Sequence, residues 1–139
     1  MKLSTKGRYG LRAAVDLALL AENHPVSINT IADCEGLSES YLEQIFAKMK
    51  KAGLVKSMRG VNGGYVLTKT PAEISVGDIL RALEGDMNIV DCPNDKDVCE
   101  KYDSCVTKYV WQRINDSIRT TMDSMSLEEV ISKNRSNSK

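Results

Sequence analysis

The chain has little aromatic surface: one Phe, one Trp and five Tyr among 139 residues. That excludes a large aromatic-lined ligand pocket. It has a single histidine, His24, and no Ser/His/Asp or Cys/His set, phosphate loop or substrate-pocket signal, so no enzymatic activity is expected. No apolar run is long enough to span a bilayer. The opening Met1-Lys2-Leu3-Ser4-Thr5-Lys6 lacks the apolar core of a signal peptide. A cytoplasmic location without membrane contact is expected. Tight C-x2–4-C pairs, the usual zinc spacing, are missing, and there are no internal repeats.

Net charge is also missing, with 19 Lys+Arg against 19 Asp+Glu. The balance conceals a division. Residues 1–70 hold 10 basic against 6 acidic side chains, and residues 71–139 hold 9 against 13. Lys48, Lys50, Lys51, Lys56 and Arg59 fall in a stretch without an acid. A basic front half can meet phosphates while the back half does something else.

Local signals give a mainly α fold with one β-hairpin. Ser4 or Thr5 can cap a first helix, Lys6 to Glu22, whose positions Leu11, Ala14, Val15, Ala18 and Leu19 share a face. Ser27 caps a second, Ile28 to Cys34, with Ile28, Ile31 and Ala32 inward and Cys34 read as a small buried residue. After Glu35-Gly36-Leu37-Ser38, a third helix runs from Glu39 to Ala52 and stops at Gly53. Two helices joined by a short glycine turn are a helix-turn-helix. Leu42, Ile45, Phe46 and Met49 face its core, while Ser40, Tyr41, Glu43, Gln44 and Lys48 form a polar face able to reach base edges and phosphates. Strands 54–59 and 65–68 around Gly60-Val61-Asn62-Gly63-Gly64 make a wing, with Arg59 at its base, placed to enter a narrow minor groove.

Ser75-Val76-Gly77-Asp78 caps a fourth helix ending at Gly85. Residues 86–104 read as an irregular acidic loop. From Cys105 a long amphipathic helix carries Val106, Tyr109, Val110, Ile114, Ile118, Met122 and Met125 as a stripe. A small domain has limited room to cover that stripe, which points to a partner helix in a second copy. A last short helix follows Ser126. The organisation expected is therefore a winged helix-turn-helix domain (1–85), a cysteine-bearing loop (86–105), a dimerisation helix with a C-terminal helix (106–133) and a flexible tail (134–139).

Three blocks, Leu3–Gly10, Leu37–Phe46 and Gly53–Gly60 with Gly63-Gly64-Tyr65, resemble the IscR, NsrR and CymR type of bacterial winged helix-turn-helix regulators. The resemblance runs from about Met1 to Met125. It implies a homodimer on near-palindromic promoter DNA, with recognition helices about one DNA turn, roughly 34 Å, apart. It places Ser38, Ser40, Tyr41, Glu43 and Gln44 in or beside the major groove, with Glu43 a discriminator of operator sequence. Arg59, Gly60, Gly63, Gly64 and Tyr65 then belong to the wing that meets minor groove and backbone.

The cysteines carry the second signal. Cys92, Cys99 and Cys105 form a C-x6-C-x5-C pattern. Iron–sulfur clusters accept three thiolates plus another ligand. IscR-like members carry three cysteines just before the long helix, with one residue fewer in the first gap, and bind a [2Fe–2S] or [4Fe–4S] cluster. The resemblance thus implies an iron–sulfur cluster on Cys92, Cys99 and Cys105. Two departures stand out: Lys108 replaces the IscR histidine, and Arg8 replaces the N-terminal aspartate of NsrR-type members. The fourth ligand is left open among Asp91, Asp95, Asp97, Glu100, Asp103, water or an exogenous thiol. A cluster-free regulator controlled by thiol oxidation or a protein partner is the alternative reading, and an iron–sulfur electron carrier a more distant one.

Overall fold

A computed structural model describes residues 3–21, 24–89 and 105–137, without side chains for 134–137. Its helices are α1 (Thr5–Leu20), α2 (Ile28–Glu35), α3 (Glu39–Lys51), α4 (Val76–Glu84), α5 (Lys108–Ser124) and α6 (Leu127–Asn137). Strands β1 (Val55–Met58) and β2 (Gly64–Leu67) pair antiparallel between α3 and α4, with Ser57 opposite Tyr65. A single 3-10 turn, Pro71–Glu73, closed by a Thr70/Glu73 capping box, follows the hairpin. This is the winged helix-turn-helix expected, followed by a long helix.

Local rules account for most boundaries. The Ser27 and Ser38 hydroxyls accept from the Thr30 and Tyr41 amides, and Ser75 and Asp78 satisfy each other's amides in a capping box. Gly36 closes α2 at φ 65°, a conformation that favours glycine. Some ends move. α1 stops at Leu20 and α5 begins at Lys108 rather than Cys105. α6 continues to Asn137, so the tail expected from Asn134 is helical through that residue. The Ser-Lys-Asn-Arg-Ser-Asn run contains no Gly or Pro to stop it.

The inward face of α1 also differs from the expected stripe. Gly7, Gly10, Ala13, Ala14 and Leu17 are buried; Leu11, Val15, Ala18 and Leu19 are half-buried. The cause is close packing against α4. A Cβ on Gly10 would overlap the Leu83 side chain, and one on Gly7 the Glu84 carboxylate. Each glycine costs about 1 kcal/mol of helix propensity, offset here by the approach it permits. Ser4 occupies the N-cap position of α1, yet its hydroxyl does not cap. The Glu84 carboxylate does so from α4, accepting from the Gly7 amide at 2.9 Å, from the Ser4 amide at 3.1 Å and from the Ser4 hydroxyl. The Ser4 hydroxyl and these amides hold the Glu84 carboxyl below its ordinary range.

The main core lies between α1, α2, α3 and α4, with Phe46 fully buried near its centre. Cys34, expected inside, is exposed. The buried side of α2 is Ile31 and Ala32, and Cys34 falls off that face. A second cluster joins Val76 and Leu80 of α4 to Met122 of α5. Backbone bonds pin the α5–α6 junction beneath α4: the Val76 amide donates to the Met125 carbonyl at 2.8 Å, and the Leu127 amide to Ile74 at 2.9 Å.

The stripe on α5 divides. Ile118, Met122 and Met125 pack within the chain, whereas Val106, Tyr109, Val110 and Ile114 are 83%, 67%, 48% and 39% exposed. The helix therefore satisfies half its apolar face internally and leaves the other half exposed among the described residues.

One buried group has a pH consequence. The Asp16 Oδ2 is buried without a hydrogen-bond partner, and desolvation, then Glu35, push the Asp16 carboxyl up to about 6. A carboxyl with a raised folded pKa weakens folding as pH climbs from the ordinary carboxylate range to about 6. Asp16→Asn should therefore raise the thermal midpoint at pH 7.5 and leave it little changed at pH 4. Equal gains at both would show that the effect is not ionisation.

Candidate nucleic-acid interface and cysteine site

α3 projects Glu39, Ser40, Glu43, Gln44, Ala47 and Lys48 as an exposed face, opposite buried Leu42, Ile45, Phe46 and Met49. Ser38 begins the helix, its hydroxyl engaged by the Tyr41 amide at 3.1 Å. Its contribution to any groove contact is thus to set the start of the helix. Glu39 is likewise occupied, taking a bond from Asn29 of α2 at 2.6 Å. Ser40, Glu43 and Gln44 are left as the exposed polar groups in the first two turns.

Tyr41 departs from the polar-face reading. It is half-buried, its ring edge-on to Tyr9 of α1 at 6.3 Å, and its hydroxyl lies 3.4 Å from that of Thr5. It braces α3 against α1 and leaves only its rim toward solvent. Tyr65 has a similar place in the wing, its ring 4.7 Å from Phe46. Both are amphipathic rings with an apolar body inside and a polar tip at the surface.

The wing glycines serve the hairpin first. A Cβ on Gly64, at φ 154°, would run into the backbone of Val26, which pairs with Tyr65 through bonds of 3.0 and 2.8 Å. A Cβ on Gly63 would meet the Met58 carbonyl. The short 60–63 loop closes with a Gly63-to-Gly60 bond of 3.0 Å, and Gly60 sits at φ 117°. These glycines let the wing fold tightly against the α1–α2 connection. Arg59, expected at the base of the wing, instead opens the loop at its tip, because β1 ends at Met58; it and Val61 stand exposed there, and Arg59 forms no ion pair among the described residues.

A basic feature escaped the sequence reading. Lys6 of α1 stands beside Lys48 of α3, and this neighbour holds the Lys48 ammonium below its ordinary pKa. Two adjacent ammonium groups are unfavourable alone and suit a shared anion. Spacing along the chain gives no hint of a pair 42 positions apart. Behind it, Lys50 donates to Ser57 at 3.0 Å, tying α3 to β1.

The exposed face of α3 thus carries Lys48 beside Lys6, and the Lys50–Ser57 bond ties the same helix to the hairpin. The sequence is matched by the model for Rrf2, described as an iron-dependent transcriptional regulator, over residues 3–133. This chain belongs to the Rrf2 family. It is 42% identical over 132 residues to the transcriptional regulator CymR of Bacillus subtilis, covering 95% of this chain and 91% of that one. The solved structure of B. subtilis CymR, described as a global cysteine regulator, superposes with a TM-score of 0.78, at 41% identity and 96% and 98% coverage. That of T. potens IscR gives a TM-score of 0.76 at 43% identity, covering 96% and 88%. As an Rrf2 member the chain is a transcriptional regulator with DNA as its partner, and no described helix is long and apolar enough to cross a membrane.

Of the Rrf2 chain's clustered cysteines, Cys92 and Cys99 lie outside the described residues. Cys105 sits three residues before α5, partly exposed, 3.2 Å from the Thr107 hydroxyl. That hydroxyl, followed by backbone amides and Lys108, draws the thiol below its ordinary pKa. An accessible thiol favoured as thiolate fits a ligand to iron and equally a redox-active thiol.

Proposed function

We propose that the chain is a homodimeric repressor or dual regulator that binds near-palindromic promoter DNA and is controlled through Cys92, Cys99 and Cys105. The observation that carries the DNA-binding part is the exposed Ser40–Glu43–Gln44 face of α3, with Lys48 on the same helix beside Lys6 and an exposed Arg59 in the hairpin that follows. Gln44 offers paired hydrogen bonds to adenine, and Glu43 accepts from cytosine N4 while repelling phosphate. Ser38 and Tyr41 fix the helix that presents them; Gly60, Gly63, Gly64 and Tyr65 fix the wing. The exposed half of the α5 stripe is what a second copy would cover. Regulators of this kind work on cytoplasmic DNA, and no catalytic step is assigned.

Glu43→Ala is expected to relax operator choice more than it lowers affinity. Binding to a panel of operators with single base-pair changes reads this directly. An unaltered ranking would remove Glu43 from base selection.

For the sensing part, Cys92, Cys99 and Cys105 would hold an iron–sulfur cluster, [2Fe–2S] or [4Fe–4S], which when bound supplies oxygen- and redox-sensitive chemistry. The chain's own contribution is a thiolate at the entrance to α5, where ligation bears on the start of the long helix. A second reading keeps the cysteines and drops the cluster, with control by thiol oxidation or a protein partner. The likeness to CymR, as strong as that to IscR, supports it. Absorbance, iron and acid-labile sulfide measured on protein purified without oxygen separate the two. Brown protein that loses iron on replacement of Cys92, Cys99 or Cys105 supports the cluster. Colourless protein that iron and sulfide do not reconstitute supports the thiol switch.

A further inference from the structure

α5 buries one polar side chain that neither the DNA-facing surface nor the cysteines account for. Asn115 is 2% exposed on the face turned toward the rest of the chain, one turn from Ile118 and two from Met122. Its Oδ1 accepts the Ile89 amide at 2.9 Å, and its Nδ2 has no hydrogen-bond partner among the described residues. A buried donor left unmatched costs about 1–3 kcal/mol. An apolar residue would remove that cost only by leaving the part-buried Ile89 amide unpaired, at a similar cost. Apolar packing of α5 alone therefore gives no reason for the asparagine.

Its partner supplies one. After α4 the chain runs back along α5: Met87 packs in the cluster that holds Ile118, and Ile89 reaches Asn115. Ile89 precedes Cys92 by three residues, while Asn115 follows Cys105 by ten on α5 itself. A side-chain bond thus ties the approach to the first two cysteines to the helix that the third precedes. It joins a non-helical strand of backbone to a helix, the kind of polar contact that two alternative arrangements make and break.

We propose that Asn115 is a positioning residue, a latch through which the state of Cys92, Cys99 and Cys105 reaches α5 and the DNA-binding body. In one state the latch is closed on Ile89; in the other the Ile89 amide is released and the Asn115 amide turns to another partner. The proposal rests on cysteine-based sensing as set out above and adds the residue that transmits it.

The test uses the full chain in two preparations: reduced apoprotein, and protein either reconstituted with ferrous iron and sulfide or oxidised with diamide. Amide hydrogen exchange at Ile89 is read in the wild type, and operator affinity is read in both preparations for wild type and Asn115→Leu. The latch predicts that Ile89 exchange differs at least tenfold between states. It also predicts that the wild-type ratio of operator affinities falls to within about twofold of one in N115L. A purely structural Asn115 would lower both affinities together and leave the ratio intact, which would overturn the latch. Equal Ile89 exchange in wild-type protein whose operator affinity does change would overturn it too, whether or not N115L folds. Wild-type affinity unchanged by every treatment would instead overturn the sensing reading, and the latch with it.

Discussion

Ile114→Glu is expected to turn a dimer into monomers and to lower operator affinity by about 10²- to 10⁴-fold, the gain that linking two binding units confers. Ile114 lies at the inner end of the exposed apolar run that includes Val106, Tyr109 and Val110. Facing a second helix, its side chain would lose its remaining contact with water, and a carboxylate there would be buried without a counter-charge. In one copy the same position is 39% exposed, so the fold itself should tolerate the change. Sedimentation at micromolar concentration and a titration with full and half operators check this. A variant that stays dimeric would remove α5 as the interface. A monomer retaining full operator affinity would remove the two-fold reading of the operator.

Arg59→Ala carries the second large effect. Each protomer would lose one guanidinium at the wing tip, and a lost base or groove contact of this kind costs about 1–3 kcal/mol. Two wings act on one operator, so the combined loss is about 2–6 kcal/mol, with every 1.4 kcal/mol about tenfold in affinity. The guanidinium has no ion pair among the described residues, so its removal leaves no orphaned acid and the fold should be unaffected. Affinity measured across several salt concentrations should also show a shallower slope, because fewer counterions are released. An unchanged slope and affinity would move the wing off the DNA.

Much of this architecture is written in short-range chemistry. Ser27, Ser38 and Ser75 each cap the helix they precede, and Gly36 and Gly85 close helices at positive φ, as local rules require. What local rules missed was decided by contacts distant in sequence. The inner face of α1 follows its glycines because α4 presses on them, although the larger apolar residues lie elsewhere. Tyr41 and Tyr65 have the composition of nucleic-acid contacts and the packing of braces, on Tyr9 and Phe46 respectively. Lys6 and Lys48 meet only once α1 and α3 have packed. Cys34 shows the opposite error, a residue type that favours interiors placed on an outward-turning position.

The bonds between Ile74, Val76, Met125 and Leu127 give α5 the mechanics of a cantilever. Its root is clamped at the C-terminal end, where Met122 and the Arg81–Asp123 ion pair, 2.6 Å long, hold it to α4. Its tip is the end at Lys108, three residues after Cys105. Seventeen helical residues make an arm about 25 Å long. Rotation of about 5° at the root then swings the tip by roughly 2 Å on an arm of that length, and a push at the tip returns to α4 as torque. α4 grips α1 through Gly7 and Gly10, so that torque is delivered to the helix that braces α3.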